Sequence, residues 1–365
     1  MINYKGYKPE EIGITDESVT KYENLRFYSI KDVPALRVYG LYDYKNGDRF
    51  TRMPEDVAEK TSKNVKSLNY CTAGGRVRFT TTSNVLAVRA KVPEVLQLPY
   101  WNPIGVSGFD VYVSNGIRDV YLTSMTTNNP MQTSDGICDI RPLPGGKKEI
   151  TLNLPLYQSI NELYIGLTED SELEARADYH FEKPVLYYGS SITQGACASR
   201  PGMAYEAIIS RKLDCNYINL GFSGACNAEP AICEYLKTVD CSVFVYDYDH
   251  NSSVQGLAQR HEGLYKAFRE THPDTPVIIV GRPDFFIFDS HAADDASRRE
   301  ILMNTYKNAF DRGDNVIYID GYSLFADEDR DDCIVDGTHP NDLGYSKMAE
   351  VIGNAVEYAL ASYKM

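Results

Sequence analysis

The chain changes rhythm near residue 180. Before it, short runs alternate apolar and polar positions, as in Arg76-Val77-Arg78-Phe79, Val85-Leu86-Ala87-Val88-Arg89-Ala90 and Glu149-Ile150-Thr151-Leu152-Asn153-Leu154, with turn clusters between them. A period of two puts every second side chain on one face of a strand, so these runs predict half-buried strands and together an antiparallel β sandwich. After it, apolar runs near 185–190, 216–221, 242–248, 276–281 and 316–320 alternate with helical patterns around 203–213, 254–270, 293–311 and 342–362. Strands buried on both faces, each followed by a helix, predict a parallel sheet with any site outside the carboxyl ends of its strands. Two domains are expected, 1–180 and 181–365, in keeping with a length of 365 residues. The junction Asp178-Tyr179-His180-Phe181-Glu182 has no Gly/Ser-rich linker, so docking is expected rather than tethering.

Polar blocks fall at the predicted strand ends. Gly189-Ser190-Ser191-Ile192-Thr193-Gln194-Gly195 follows the apolar Val185-Leu186-Tyr187-Tyr188, and a small-residue turn there would lift a serine hydroxyl off the strand. Near the C-terminus, Asp336-Gly337-Thr338-His339 sets a carboxylate three residues before an imidazole. Such a turn can fold the carboxylate onto Nδ1 and leave Nε2 free to take a serine proton. Asn219-Leu220-Gly221-Phe222-Ser223-Gly224 follows the second strand and Tyr246-Asp247-Tyr248-Asp249-His250-Asn251 the third. Each block alone has an ordinary reading. Gly-Ser-Ser can be a plain strand-to-helix turn, Asn251 a turn residue, and Asp-Gly-Thr-His-Pro a surface turn with Asn341 or Asp342 capping the last helix. Four such blocks in order at strand ends are hard to obtain by accident.

The order Ser, Asp, His also occurs in α/β-hydrolases, but their Gly-x-Ser-x-Gly run is absent, because Thr193 stands where the second glycine would be. From about Pro184 onward the chain instead resembles the SGNH, or GDSL-type, hydrolases. That resemblance implies Ser191 as nucleophile, His339 as base, Asp336 as its orienting carboxylate, and an oxyanion hole of the Ser191 and Gly224 N–H groups with the Asn251 amide. Two departures stand out: Ser190 replaces the usual aspartate before the nucleophile, and Asp-His-Asn-Ser replaces Gly-x-Asn-Asp. In the front half, Gly108-Phe109-Asp110-Val111-Tyr112 resembles the Gly-x-Asp-Leu-Tyr signature of a β domain, jelly-roll-like in shape, found ahead of some SGNH hydrolases. The pair implies a serine esterase acting through an acyl-enzyme on short acyl esters, acetyl first, of small molecules or oligosaccharides. Two alternatives stay open: a lipid esterase, lysophospholipase or thioesterase of the same superfamily, and a noncatalytic carbohydrate-binding protein.

Composition narrows the partners. The net charge of -14 argues against nucleic acid or an anionic membrane surface, and 43% hydrophobic content suffices for a core in each domain. No apolar run approaches a membrane span and the start lacks a signal-peptide core, so the cytoplasm is expected. The eight cysteines are scattered without Cys-x-x-Cys spacing, which favours free thiols; Cys197 and Cys226 flank the serine and glycine blocks, where small buried packing outweighs oxidation sensitivity. The six histidines show no metal spacing, so neither metal nor cofactor is expected, and His180, His261, His272 and His291 read as solvated. Four further residues are candidates for substrate contact: His250 beside Asn251, Arg200 after the nucleophile loop, Arg282 after the fourth strand, and Trp101 with Tyr100 on a Pro-rich loop. For the arginines an ion pair with a nearby aspartate is the competing reading.

Overall fold

The structure is a computed structural model, described here for residues 4–99, 101–126, 136–283, 292–325 and 330–363. Tyr100 and His291 lie outside these residues. The chain divides into two compact units, the first comprising Met1–Arg52, Tyr70–Asp178 and Ser199–Gly202, the second Met53–Asn69, Tyr179–Ala198 and Met203–Met365. The single cut expected at 180/181 falls instead at 178/179, and two further segments change sides. Residues 53–69, which carry the helices Glu55–Thr61 and Lys63–Asn69, join the second unit because Met53, Ala58 and Val65 are buried in its core. Residues 199–202 join the first.

The first unit is an antiparallel β sandwich. Its strands are β1 (Leu25–Ser29), β2 (Arg37–Tyr39), β3 (Arg76–Thr81), β4 (Val85–Lys91), β5 (Phe109–Ser114), β6 (Asp119–Met125), β7 (Ile137–Pro142), β8 (Lys148–Asn153), β9 (Glu162–Thr168) and β10 (Leu173–Glu174). One sheet runs β1-β9-β4-β7, the other β10-β3-β8-β5-β6 with β2 on β3. The period of two does what it predicts: Val77 and Phe79, Leu86 and Val88, Phe109 and Val111, Ile150 and Leu152, and Ile165 and Leu167 share one core. Burying each such side chain contributes roughly 1.5–3 kcal/mol.

On β5 the opposite face carries Asp110 and Tyr112. Buried Asp110 accepts hydrogen bonds from Asn153 Nδ2 and from the Gly202 N–H, both at 2.8 Å, and pairs with Arg200 Nε at 3.4 Å. A Cβ on Gly202 would lie 2.6 Å from the Tyr112 ring, so glycine is what lets the 199–202 segment lie against the motif.

The second unit is a five-stranded parallel sheet flanked by helices. Its strands are β11 (Phe181–Gly189), β12 (Cys215–Gly221), β13 (Val243–Asp247), β14 (Val277–Val280) and β15 (Val316–Ile319), ordered β12-β11-β13-β14-β15. β11 starts earlier than its apolar run, and the ladder slips between Phe181 and Val185, where Pro184 has no N–H to donate. The helices Tyr205–Leu213, Val254–Thr271, Ala292–Asp311 and Asp342–Tyr363 lie where the 3.6-residue pattern predicts them. Val254–Thr271 shows the cause: Ser253 caps it by accepting the Gly256 N–H, and Leu257, Leu264 and Phe268 turn one buried stripe to the core. His261 lies on that stripe, which corrects its reading as solvated. It is buried, its Nδ1 stands 2.7 Å from Thr305 Oγ1, and burial pushes its pKa down to about 3. A seven-residue helix, Pro230–Leu236, was too short for the pattern to reveal.

Strand order reverses about β11, the switch point where open α/β sheets bind ligands. There Gly189 of β11 stands level with Asp247 of β13. A Cβ at Gly189 would fall 1.7 Å from Asp247 Oδ1 and 2.0 Å from Thr193 Oγ1, and one at Gly221 would fall 2.2 Å from the Gln194 nitrogen. Gly189→Ala should therefore destabilise the fold by on the order of 3 kcal/mol. Urea denaturation checks this; a midpoint equal to wild type would refute the close approach.

Candidate active site

β11 ends in a turn whose geometry its small residues set. Ser190 caps the short helix Ser191–Gln194 by accepting the Ile192 N–H at 3.2 Å, and Gly195 closes it in the left-handed region at φ 96°. Beneath lies Asp247, whose carboxylate accepts from the Thr193 hydroxyl and the Ser190 N–H, with the Tyr205 hydroxyl at 3.5 Å. The carboxylate absent from position 190 is thus supplied from the neighbouring strand. Burial pushes Asp247 up to about 8, with nearby Asp249 adding to the rise. From the C-terminal helix, the Tyr345 hydroxyl reaches the carbonyl oxygens of Ile192 at 3.1 Å and Ala196 at 2.7 Å, holding both ends of the turn.

Ser191, His339 and Asp336 meet although 148 positions separate the serine from the histidine. Ser191 Oγ stands 2.8 Å from His339 Nε2, and His339 Nδ1 stands 2.8 Å from Asp336 Oδ2. Gly337, at φ 80°, makes the tight turn possible, and Asp336 Oδ1 accepts the N–H groups of Thr338 at 3.1 Å and His339 at 2.9 Å. Burial raises the Asp336 pKa, but the bonds from the His339 ring and backbone outweigh it and hold the carboxyl below its ordinary value. An ionised carboxylate on Nδ1 keeps that nitrogen protonated and Nε2 free to accept the serine proton.

The glycine block is tied to the serine turn: the Phe222 N–H donates to the Gly189 carbonyl at 2.9 Å and the Ser223 N–H to Gln194 Oε1 at 3.0 Å. Gly224 follows at φ 67°, and its N–H has no partner among the described residues. Asn251 is oriented through its oxygen, which accepts the Cys226 N–H at 3.2 Å, and its Nδ2 has no partner among the described residues. The loop carrying Asn251 is held by Arg298, which donates to the carbonyl oxygens of Asp249 and, at 2.7 Å, of Ser252, while Asp294 fixes it at 2.7 Å. Sequence reasoning missed Arg298, Asp247 and Tyr345. The apolar strand before Asp247 marked its position; nothing local marks the other two, since each acts on backbone far away in sequence.

The four candidates for substrate contact fare differently. His250 has its Nε2 buried without a partner among the described residues, and burial, with the Arg282 charge adding, pushes its pKa down to about 3, so it stays neutral. Arg282 is taken by carboxylates, pairing with Asp295 and with Asp294 at 3.6 Å. Arg200 is likewise paired with Asp110, and its guanidinium lies 4.1 Å over the Tyr121 ring within the first unit. For both arginines the ion-pair reading is the one the structure shows. Trp101 packs edge-on against Tyr157 at 4.5 Å, half-buried in the first unit.

Residues 182–357 match the GDSL-like lipase/acylhydrolase family, and residues 25–173 match the GxDLY domain, the N-terminus of SGNH-hydrolase-type esterases. The chain belongs to the SGNH/GDSL-type hydrolases and carries a GxDLY-type β domain ahead of the catalytic fold. A Bacteroides ovatus protein named as a GDSL-like lipase has a similar structure, at 28% identity and TM-score 0.78 over 93% of this chain and 98% of its own. Two others share the fold. The salicylyl-acyltransferase SsfX3 of a tetracycline biosynthetic pathway is 23% identical, with TM-score 0.74 over 93% of this chain and 98% of its own. A family two carbohydrate esterase from Clostridium thermocellum, solved with cellohexaose, is 14% identical, with TM-score 0.56 over 80% of this chain and 94% of its own. No curated protein matches the sequence significantly. Among the described residues no helix is long and apolar enough to cross a membrane.

The raised Asp247 fixes a sign. The folded protein holds this proton more tightly than the unfolded chain, so the group's contribution to stability is full below its ordinary value of 3.8 and is lost as pH rises to about 8. Asp247→Asn keeps an acceptor for Thr193 and abolishes the titration. Between about pH 5 and 8 the variant should lose less thermal stability than wild type; parallel melting curves across that range would exclude Asp247 as the source.

Proposed function

We propose that the chain is a serine esterase that removes short acyl groups, acetyl first, from carbohydrate esters. One observation carries the reading: the unbroken path from Ser191 Oγ through His339 to Asp336, with both hydrogen bonds at 2.8 Å. Ser191 attacks the ester carbonyl as His339 takes its proton, and the imidazolium then protonates the leaving alcohol. An acyl-enzyme forms on Ser191; water, deprotonated by the same imidazole, releases the acid. Asp336 keeps His339 in the right tautomer and stabilises its positive charge. The Ser191 and Gly224 N–H groups and Asn251 Nδ2 hold the oxyanion, and donors of this kind are worth about 3–4 kcal/mol each.

The sugar half of the reading rests on the β-sandwich domain and on the fold shared with carbohydrate esterases, and is an argument by analogy. Hydrolysis of p-nitrophenyl acetate, butyrate and octanoate, followed by acetate release from acetylated xylo- and manno-oligosaccharides, tests it. Acetate preference with release from the oligosaccharides supports the proposal, whereas turnover of octanoate alone replaces it with the lipid reading.

Three variants separate the roles. Ser191→Ala should lower kcat by at least about 10⁴-fold, and retained activity would sink the nucleophile assignment. Asp336→Asn should lower it by about 10³- to 10⁴-fold by freeing the wrong tautomer. Asn251→Ala should lower kcat by about 10²- to 10³-fold with KM little changed; a loss confined to KM would make Asn251 a substrate-binding group instead.

A further inference from the structure

Beside the Asp336–His339 pair stands a thiol that the esterase reading leaves unused. Cys197 is half-buried, at the end of the nucleophile loop, and its backbone lies in the left-handed region at φ 65°, where residues with a Cβ are uncommon. Its sulfur lies close to the pair: the ligand atoms of Cys197, Asp336 and His339 all lie within 4.8 Å of one another. Asp336 also bears on the thiol electrostatically, and burial first, then this carboxylate, pushes its pKa up to about 12.

We propose that Cys197, Asp336 and His339 form a site for a thiophilic divalent cation, Zn²⁺ or Cd²⁺, whose occupancy switches the esterase off. A thiolate, an imidazole nitrogen and a carboxylate oxygen are a donor set typical of zinc, with water completing a tetrahedron. Metal–ligand distances of about 2.0–2.3 Å place tetrahedral donors about 3.6 Å apart. Donors now as far as 4.8 Å apart have to approach by about 1 Å, while His339 Nδ1 and Asp336 Oδ2, at 2.8 Å, have to part by a little under about 1 Å to admit the ion between them. On binding, the metal sheds water ligands as bonds form to sulfur, nitrogen and oxygen; the Cys197 S–H gives its proton to solvent, and where Nδ1 is the ligand its proton moves to Nε2. A metal on Nδ1 replaces the proton that Asp336 stabilises, and a metal on Nε2 takes the lone pair that receives the Ser191 proton. Either way the base is lost. The pattern escapes a search for metal spacing because the cysteine and the Asp-x-x-His turn lie more than a hundred residues apart.

The inhibitory consequence rests on the esterase reading; the binding site does not, and the test keeps them apart. Chelator-stripped protein is titrated with Cd²⁺ while the ultraviolet thiolate-to-metal charge-transfer band is followed, and p-nitrophenyl acetate hydrolysis is measured against Zn²⁺ and Cd²⁺. Wild type should show a band saturating at one equivalent, and the metal giving half-inhibition should rise at least tenfold in Cys197→Ser. Cys197→Gly, which suits the left-handed backbone, serves as a second thiol-free variant. A band of equal size in both variants, or half-inhibition unchanged in them, overturns the proposal. If wild type hydrolyses no ester, the band alone decides the site and the esterase reading fails separately.

Discussion

A carboxyl group buried beneath the turn that carries Ser191 is the constraint on which the candidate site depends. Asp247 reaches the turn only because Gly189, level with it on the next strand, has no side chain. Burying such a group is expensive unless hydrogen bonds receive it, and here the Thr193 hydroxyl and the Ser190 N–H supply them. Those bonds fix the turn that presents Ser191. With serine at 190, the cap at Ser190 and the carboxyl group at 247, on the adjacent strand, share the bracing of the turn. Ser191 is thus held by the sheet's own register as well as by its loop.

The same economy governs the proposed oxyanion donors. Asn251 can offer Nδ2 because the Cys226 N–H occupies its oxygen, and its loop stays put because Arg298 gathers the carbonyl groups on either side. Arg298 is itself fixed by Asp294, so the chain of support runs from a helix into the loop. A network of this kind is only as good as its weakest buried member. Asp249 shows where the strain collects: one carboxylate oxygen accepts the Arg282 N–H, the other finds no partner among the described residues, and burial pushes its pKa up to about 6.

Much of this was legible in the sequence, for reasons that differ by residue. Ser191, Gly224, Asn251 and His339 sit in blocks whose local turn chemistry is written in consecutive residues, and parallel strands buried on both faces announce themselves by composition alone. Alternation along β3 and β4 likewise gave the sandwich core. What alternation could not give is the fate of the outward side chains: Arg76, Arg78 and Arg89 occupy polar positions yet are 1%, 3% and 4% exposed, and Arg76 and Arg78 lie over the Tyr39 ring of β2. His261 was misread for the same reason, since a lone histidine carries no sign of which helix face it occupies. Residues 53–69 were misassigned because membership of a core is a long-range property, and no local rule reports that Met53, Ala58 and Val65 pack among strands more than a hundred positions later.

The arginines make the limit sharper. Arg200 and Arg282 both follow functional blocks, and a guanidinium there is chemically suited to grip a polar substrate group. Whether it does so depends on whether a carboxylate has already claimed it, which is decided by elements that spacing along the chain cannot pair. For Arg200 the claimant is Asp110 of the Gly-x-Asp-x-Tyr motif, which also receives the Gly202 N–H. That gives the motif a structural rationale: its aspartate and tyrosine share one strand face, and together they seat Arg200 and Gly202 against the β sandwich. The motif is thus accounted for by its hold on the chain itself.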